Sequence, residues 1–213
     1  MTHPRATRTV DVLVVGGGPA GLALAAGLAA EGTGRVLVLD RAQRAGGVPR
    51  HVPRGDFGHP GRWYPGPAYA DRAVDAAARA GAELRTGVTV LGWTGPRALH
   101  TTGPDGPEQI AARAVVLATG ARERPRAARL VPGTRPAGVL STAELTRTVH
   151  QFGLPVGGRA VVVGAEPVSY AALDTLRRAG TRTVAMVTEL PRGQGPAGAA
   201  AARGTAADRG TRQ

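Results

Sequence analysis

The sequence predicts an α/β protein, and three observations carry that reading. Val10–Asp40 runs as an apolar strand, a glycine turn, a helix and a second strand ending in an acid. Arg159–Glu189 repeats the same order. Between them Ala114–Ala118 is a short unbroken apolar run, as a strand buried on both faces requires. A strand–helix–strand unit that recurs within one chain says more than a single occurrence.

In the first unit, Val12–Val15 is the buried strand and the helix spans roughly Ala20–Ala30. Gly16, Gly18 and Gly21 spell G-x-G-x-x-G, and Asp40 lies about 24 residues past Gly16, at the end of the strand Val36–Leu39. This is a dinucleotide fingerprint in its proper strand–turn–helix context, the mark of a Rossmann-like domain. The first glycine allows a tight turn. The second lets the backbone approach a pyrophosphate, and the third lets helix and strand pack closely. The helix N-terminus presents free N–H groups and a positive dipole end to the phosphates, and the acid accepts hydrogen bonds from a ribose diol. The competing reading is a glycine-rich turn with no ligand; the acid and both strands in their places argue against it.

Arg41 to about Pro67 reads as a loop rich in glycine, arginine and proline, with Gly46, Gly47, His51, His59, Trp63 and Tyr64. Tyr69–Ala80 carries Ala70, Ala73, Val74 and Ala77 at helical spacing and is closed by Gly81. Glu83–Trp93 is expected as a strand, and Leu99–Ala114 as a hairpin or meander turning at Gly103–Gly106. A connector over 121–158 is expected to hold a helix near Thr142–Phe152.

In the second unit Glu189 follows Gly164 at nearly the same interval as in the first, but Glu166 and Ser169 stand where the first unit has Gly18 and Gly21. A carboxylate facing a pyrophosphate is electrostatically wrong, so this unit keeps the geometry while its hold on a dinucleotide, NAD(P) included, is doubtful. Pro191–Gln213 has no apolar residue larger than alanine and four arginines against one aspartate, a composition that cannot order itself by burial. The expected organisation is therefore residues 1–125 as the N-terminal part of a dinucleotide-binding domain, 126–190 as a second, incomplete one, and 191–213 as a disordered tail, natural or the result of out-of-frame translation.

Composition excludes several classes. There is no cysteine, which rules out a redox disulfide or a thiolate-held cluster on this chain. No metal-ligand pattern stands out. No run of about 20 apolar residues offers a membrane span, and Asp11 and Gly16 interrupt the only N-terminal apolar stretch, so the cytoplasm is the expected compartment. The net charge of +12 comes entirely from arginine, scattered and with few aromatic side chains to stack on bases. It is read as codon bias of a GC-rich gene, not as a nucleic-acid surface.

On these residues the chain resembles the two-dinucleotide-domain flavoprotein oxidoreductases of the pyridine nucleotide–disulfide oxidoreductase superfamily. The carriers are Gly16–Gly21, Asp40, Gly46 with Gly47, the ATG run Ala118–Gly120, and the second unit. ATGARERP (Ala118–Pro125), RPAGV (Arg135–Val139) and the run from Val161 to Leu176 are most similar to one branch, the FAD subunits of hydrogen cyanide synthase, opine oxidase and related amine or imino-acid dehydrogenases. The resemblance covers about residues 10–190 and implies FAD in the first site. Gly16, Gly18, Ala20 and Gly21 would cradle the pyrophosphate, and Asp40 with Arg41 would meet the ribose. Val90 would offer its backbone to the adenine edge, although such a residue is more often plain strand core. Gly46 and Gly47 would lie along the flavin side, followed by Arg50 and His51, and Gly120 would pass close to the cofactor. His51 and His59 are read as solvent-facing, and Trp63, Tyr64 and Trp93 as packing residues.

The departures are the missing CxxC, which excludes dithiol chemistry, and the missing closing segment that completes the family's FAD domain. The function implied is hydride transfer from a small amine, imino acid or similar donor to flavin, then to a partner subunit or to NAD(P). The alternatives are a non-catalytic adenine-dinucleotide-binding module and a truncated remnant. No side chain stands out as a catalytic acid or base.

Overall fold

The computed structural model of the chain describes residues 5–130, 132–134 and 136–188. It divides between Ala121 and Arg122 into two compact units. Glu189, Arg135 and the segment 191–213 lie outside the described residues.

The first unit runs β1 (Arg5–Val15), α1 (Pro19–Ala30), β2 (Val36–Asp40), β3 (Phe57–His59), β4 (Arg62–Tyr64), α2 (Gly66–Arg79), β5 (Glu83–Thr86), β6 (Thr89–Gly95), β7 (Ala98–Gly103) and β8 (Gly106–Leu117). Its main sheet has the order β5-β2-β1-β8-β7-β6. The first four strands are parallel, and β7 and β6 continue as an antiparallel meander. In β1 Val14 pairs with Val38 on one side and Val116 on the other, so a central strand needs apolar side chains on both faces. Alternation then assigns the faces. Val14, Val36 and Val38 pack with Leu22 and Ala25 of α1 and Ala77 of α2, while Leu13, Leu37 and Leu39 pack with Val88, Leu99 and Ile110. α1 contains no polar residue, and only small ones, Ala20, Ala23, Gly27 and Ala30, are exposed along it.

Three expectations are corrected. The stretch from Glu83 to Trp93 is two strands: Gly87 takes φ +69° and turns the chain out of the parallel sheet into the meander. Residues 106–117 form one strand instead of a hairpin arm followed by a separate strand. The first half of β8 pairs with both β7 and β1, and its second half keeps only the parallel partner. The half-buried first half and the apolar second half look unlike each other in sequence for that reason. Finally, the loop after β2 is partly ordered: Val48–His51 forms a 3-10 turn and β3 pairs with β4 as a short hairpin.

The second unit contains α3 (Thr142–His150), β9 (Arg159–Val163), α4 (Pro167–Arg178) and β10 (Arg182–Val187). α3 starts in a capping box, with Ser141 Oγ accepting from the Glu144 N–H and Glu144 accepting from the Ser141 N–H, and it stops two residues short of Phe152. β9 and β10 are parallel, and Leu145, Val162, Ala172 and Leu176 form the core.

Candidate dinucleotide-binding site

The glycine turn joins the end of β1 to the start of α1, and its three motif glycines answer different demands. Gly16 takes φ +111°, donates its N–H to Leu39 O at 2.8 Å, and has no room for a Cβ, which would run into Ala118 O. Gly21 sits in the first turn of α1, where a Cβ would run into Gly16 O and lie 3.2 Å from a Val14 methyl. Gly18 is different. Its φ of −83° and ψ of −177° are open to any residue, as expected just before a proline. A Cβ there would meet nothing closer than the Gly47 Cα at 3.9 Å. The first and third glycines thus serve the fold, while the second keeps clear a space beside the α1 N-terminus. No side chain caps that N-terminus, and Ala20 lies exposed in its first turn.

Asp40 closes this region from β2. Its Oδ2 accepts the Gly17 N–H at 2.9 Å and its Oδ1 accepts the Ala42 N–H at 2.8 Å. The acid therefore ties the glycine turn to the end of β2, and each oxygen keeps a lone pair for a ligand hydroxyl. Arg41 is exposed beside it. Gly46 and Gly47, with φ of +122° and +64°, lay the following loop on the turn: the Gly46 N–H donates to Gly17 O at 2.6 Å.

That loop is held by a residue pair of which the sequence signals only one member. Arg50 donates from Nε to Ala45 O and from Nη2 to Asp71 Oδ1 at 2.7 Å, while its side chain is mostly buried. Asp71 lies on α2 with nothing in its neighbourhood to mark it. Replacing Arg50 by Ala is expected to cost about 1–3 kcal/mol through the lost charged hydrogen bonds. Limited proteolysis reads the result: faster cleavage within 41–56 is expected, and an unchanged pattern would remove Arg50 from this role.

The turn after β5 reaches the same place. Gly87 N–H donates to Ala42 O at 2.8 Å and Val88 N–H to Asp40 O at 3.0 Å, so β6 begins beside the acid. Val90 is half-buried on β6 opposite Thr101, with its side chain packed on the core. Gly120, with φ +72° and exposed, lies just beyond β8, whose continuation donates the Ala118 N–H to Val15 O at 2.8 Å. Gly16, Gly18, Ala20, Gly21, Asp40, Arg41, Gly46 and Gly47 are thus brought together at the carboxyl ends of β1 and β2, with Gly120 at that end of β8. This is where open parallel sheets hold ligands.

The aromatic residues depart from their packing role. Trp63 and Trp93 are each 55% exposed, because β4 belongs to a hairpin outside the main sheet and β6 is the sheet's edge. Tyr64 is half-buried, with the Arg72 guanidinium 4.5 Å from its ring centre and Arg62 at 5.8 Å. His59 is exposed with Nδ1 3.0 Å from Pro60 O, and His51 is half-buried in the 3-10 turn. Among the described residues no cluster of three or more His, Cys, Asp or Glu could hold a metal ion, and no helix is long and apolar enough to cross a membrane.

Comparison with known proteins is consistent with this geometry. The family model described as pyridine nucleotide-disulphide oxidoreductase matches residues 10–212. The chain is 34% identical over 196 residues to a subunit of the opine oxidase of Agrobacterium tumefaciens (strain Ach5), covering 87% of this chain and 37% of that protein. It is 34% identical over 188 residues to the alpha subunit of the sarcosine oxidase of Corynebacterium sp. (strain P-1), covering 80% of this chain and 18% of that one. The chain thus spans little more than a third of the first relative's length and less than a fifth of the second's. Among solved structures, L-proline dehydrogenase from P. horikoshii superposes with a TM-score of 0.64 at 19% identity, over 86% of this chain and 37% of that one. Thioredoxin reductase from T. acidophilum gives 0.58 at 20% identity, over 88% and 68%. Both share the fold.

Proposed function

The chain belongs to the pyridine nucleotide-disulphide oxidoreductase family, and on that premise we propose that its first unit holds FAD and takes part in the oxidation of a small amine or imino acid. The observation that carries the reading is the clear space at Gly18, a position where neither backbone conformation nor internal packing calls for glycine. Close approach of a pyrophosphate does call for it. The residues of the site fit the group. Gly18 and Ala20 would present backbone to the pyrophosphate, with Gly16 and Gly21 shaping the turn that does so. Asp40 and Arg41 would meet the adenosine ribose, and the backbone at Val90 would lie toward the adenine edge. Gly46, Gly47 and Gly120 would allow close passage of the chain along the rest of the cofactor.

Bound FAD would supply the two-electron acceptor; the chain positions it and tunes its surroundings. The amine or imino-acid donor follows from the relatives named for opine and sarcosine oxidation, and their naming as subunits supports a partner chain as the next electron carrier. The test is an absorbance spectrum of the purified, desalted chain, before and after incubation with excess FAD. Protein-bound oxidised flavin supports the reading, and its absence after incubation overturns it. Bleaching of that flavin by a candidate amine separates an oxidoreductase from a module that only binds.

Asp40 gives a further expectation. In Asp40→Ala the ribose loses a charged acceptor and Gly17 and Ala42 lose their partner, so FAD affinity falls by about 1.5–3 kcal/mol, roughly ten- to a hundred-fold. Equal affinity for Asp40→Ala and the parent in a flavin titration would remove Asp40 from the site.

A further inference from the structure

The two units of the chain diverge at one point of chemistry. Where the first leaves space at Gly18, the second has Glu166, the residue that immediately precedes α4 and occupies its N-cap position, with φ −75° and ψ 164° and no side-chain bond to the helix N–H groups. Its side chain turns back over the glycine turn. Ser169 Oγ donates to Glu166 Oε2 at 3.0 Å, and Ser169 is buried, with only 4% of its surface exposed. A Cβ built on Gly164, which has φ +125°, would run into that same carboxylate oxygen and lie 2.8 Å from the serine hydroxyl. In the first unit the position that Glu166 takes is Gly18, where even a Cβ would meet nothing closer than 3.9 Å, so the second unit places a charged side chain where the first has none. The carboxylate's own backbone N–H and the Ser169 hydroxyl, with Arg129 adding a smaller attraction, hold its pKa below the usual carboxylate range, so it is charged at neutral pH.

We propose that Glu166 is a built-in anion seated at the α4 N-terminus, and that it excludes NAD(P) from the second unit by charge and by volume. A dinucleotide phosphate brought to this turn meets a fixed negative charge beside the α4 N-terminus, which offsets the attraction of the helix N–H groups. The carboxylate is covalently part of the turn and held by Ser169, so it is always present at the place the phosphate would need. The second unit therefore contributes its fold and not a nicotinamide acceptor. This inference concerns the second unit alone and stands whether or not the first unit holds FAD.

The test is a binding titration of the whole chain with NADH and NADPH, followed by nicotinamide fluorescence. It is run on the parent and on a Gly18→Val background, so that any dinucleotide held by the first unit is recognised and set aside. In the Gly18→Val background no saturable binding is expected. Glu166→Gly, which removes charge and bulk, is expected to tighten binding by at least about tenfold, and Glu166→Gln, which removes the charge and keeps the length, to tighten it less. If Glu166→Gly does not fold, as judged by circular dichroism, the glutamine variant decides. Saturable binding by the chain with Glu166 in place, as tight as in the variants, overturns the proposal. Failure of the folded variants to gain binding overturns it equally.

Discussion

Gly18→Val is expected to yield a folded chain that binds no flavin. The backbone at this position is extended and followed by Pro19, a conformation that a β-branched residue adopts without strain. Outside its chain neighbours the valine Cβ meets nothing closer than the Gly47 Cα at 3.9 Å, an ordinary van der Waals contact, so the branch point enters without a clash. The space it fills is the space in which a pyrophosphate would approach the turn. A well-placed group forced into an occupied volume costs about 1–3 kcal/mol or more, and a charged phosphate losing its N–H donors adds to that. Affinity for FAD should fall by at least about a hundredfold, with an unchanged far-ultraviolet circular dichroism spectrum. The measurement pairs that spectrum with the visible absorbance of the desalted protein after incubation with FAD. A folded variant that keeps its flavin would remove the glycine turn from the binding site.

The framework of this site is legible in the sequence because its physics is local. A tight turn between Val15 and Pro19, three glycines at fixed spacing, and an acid closing the next strand are all written within one contiguous strand–turn–helix–strand motif. The less legible parts depend on partners outside that motif. β8 changes character at its middle because its partners change there, which no local pattern reports. Asp71 holds Arg50, and through it the Gly46 loop, from 21 residues away. Asp40 reads as a ribose acceptor, and its two bonds to Gly17 and Ala42 add a structural duty that a motif does not contain. The tryptophans mislead for a simpler reason: a large aromatic side chain by itself suggests packing, but Trp63 and Trp93 sit on a hairpin and an edge strand and are each more than half exposed. Glu166 is visible in the sequence as the wrong charge at a phosphate position. That it folds back onto Ser169 is not, because the direction of a side chain at a helix start depends on the hydroxyl three residues on.

Gly16→Ala should give the opposite signature to Gly18→Val: loss of stability in the first unit, with flavin lost only because the fold is lost. Two costs coincide. The φ of +111° lies in a region that L-residues rarely enter, worth about 1–3 kcal/mol of strain. The added methyl points into Ala118 O and lies 3.2 Å from the Thr119 N, and both are backbone atoms of the segment that continues β8. Backbone cannot swing aside as a flexible side chain can, so β1 and that segment must separate or the turn must reshape, at about another 1–3 kcal/mol. Gly21→Ala tests the same contact from the helix side. Alanine favours the helix by about 1 kcal/mol over glycine, but its methyl meets Gly16 O, so a net loss of stability, smaller than that of Gly16→Ala, is expected. Hydrogen exchange of the β1 and β2 amides reads the first unit separately from the second, which matters because two units need not unfold together. Protection of Leu13, Val14, Leu37 and Val38 should fall in Gly16→Ala by about a hundredfold or more and in Gly21→Ala by less, with the amides of β9 and α4 unchanged. Undiminished protection in Gly16→Ala would mean that the turn does not need its first glycine, and the division of labour among the three glycines would fail.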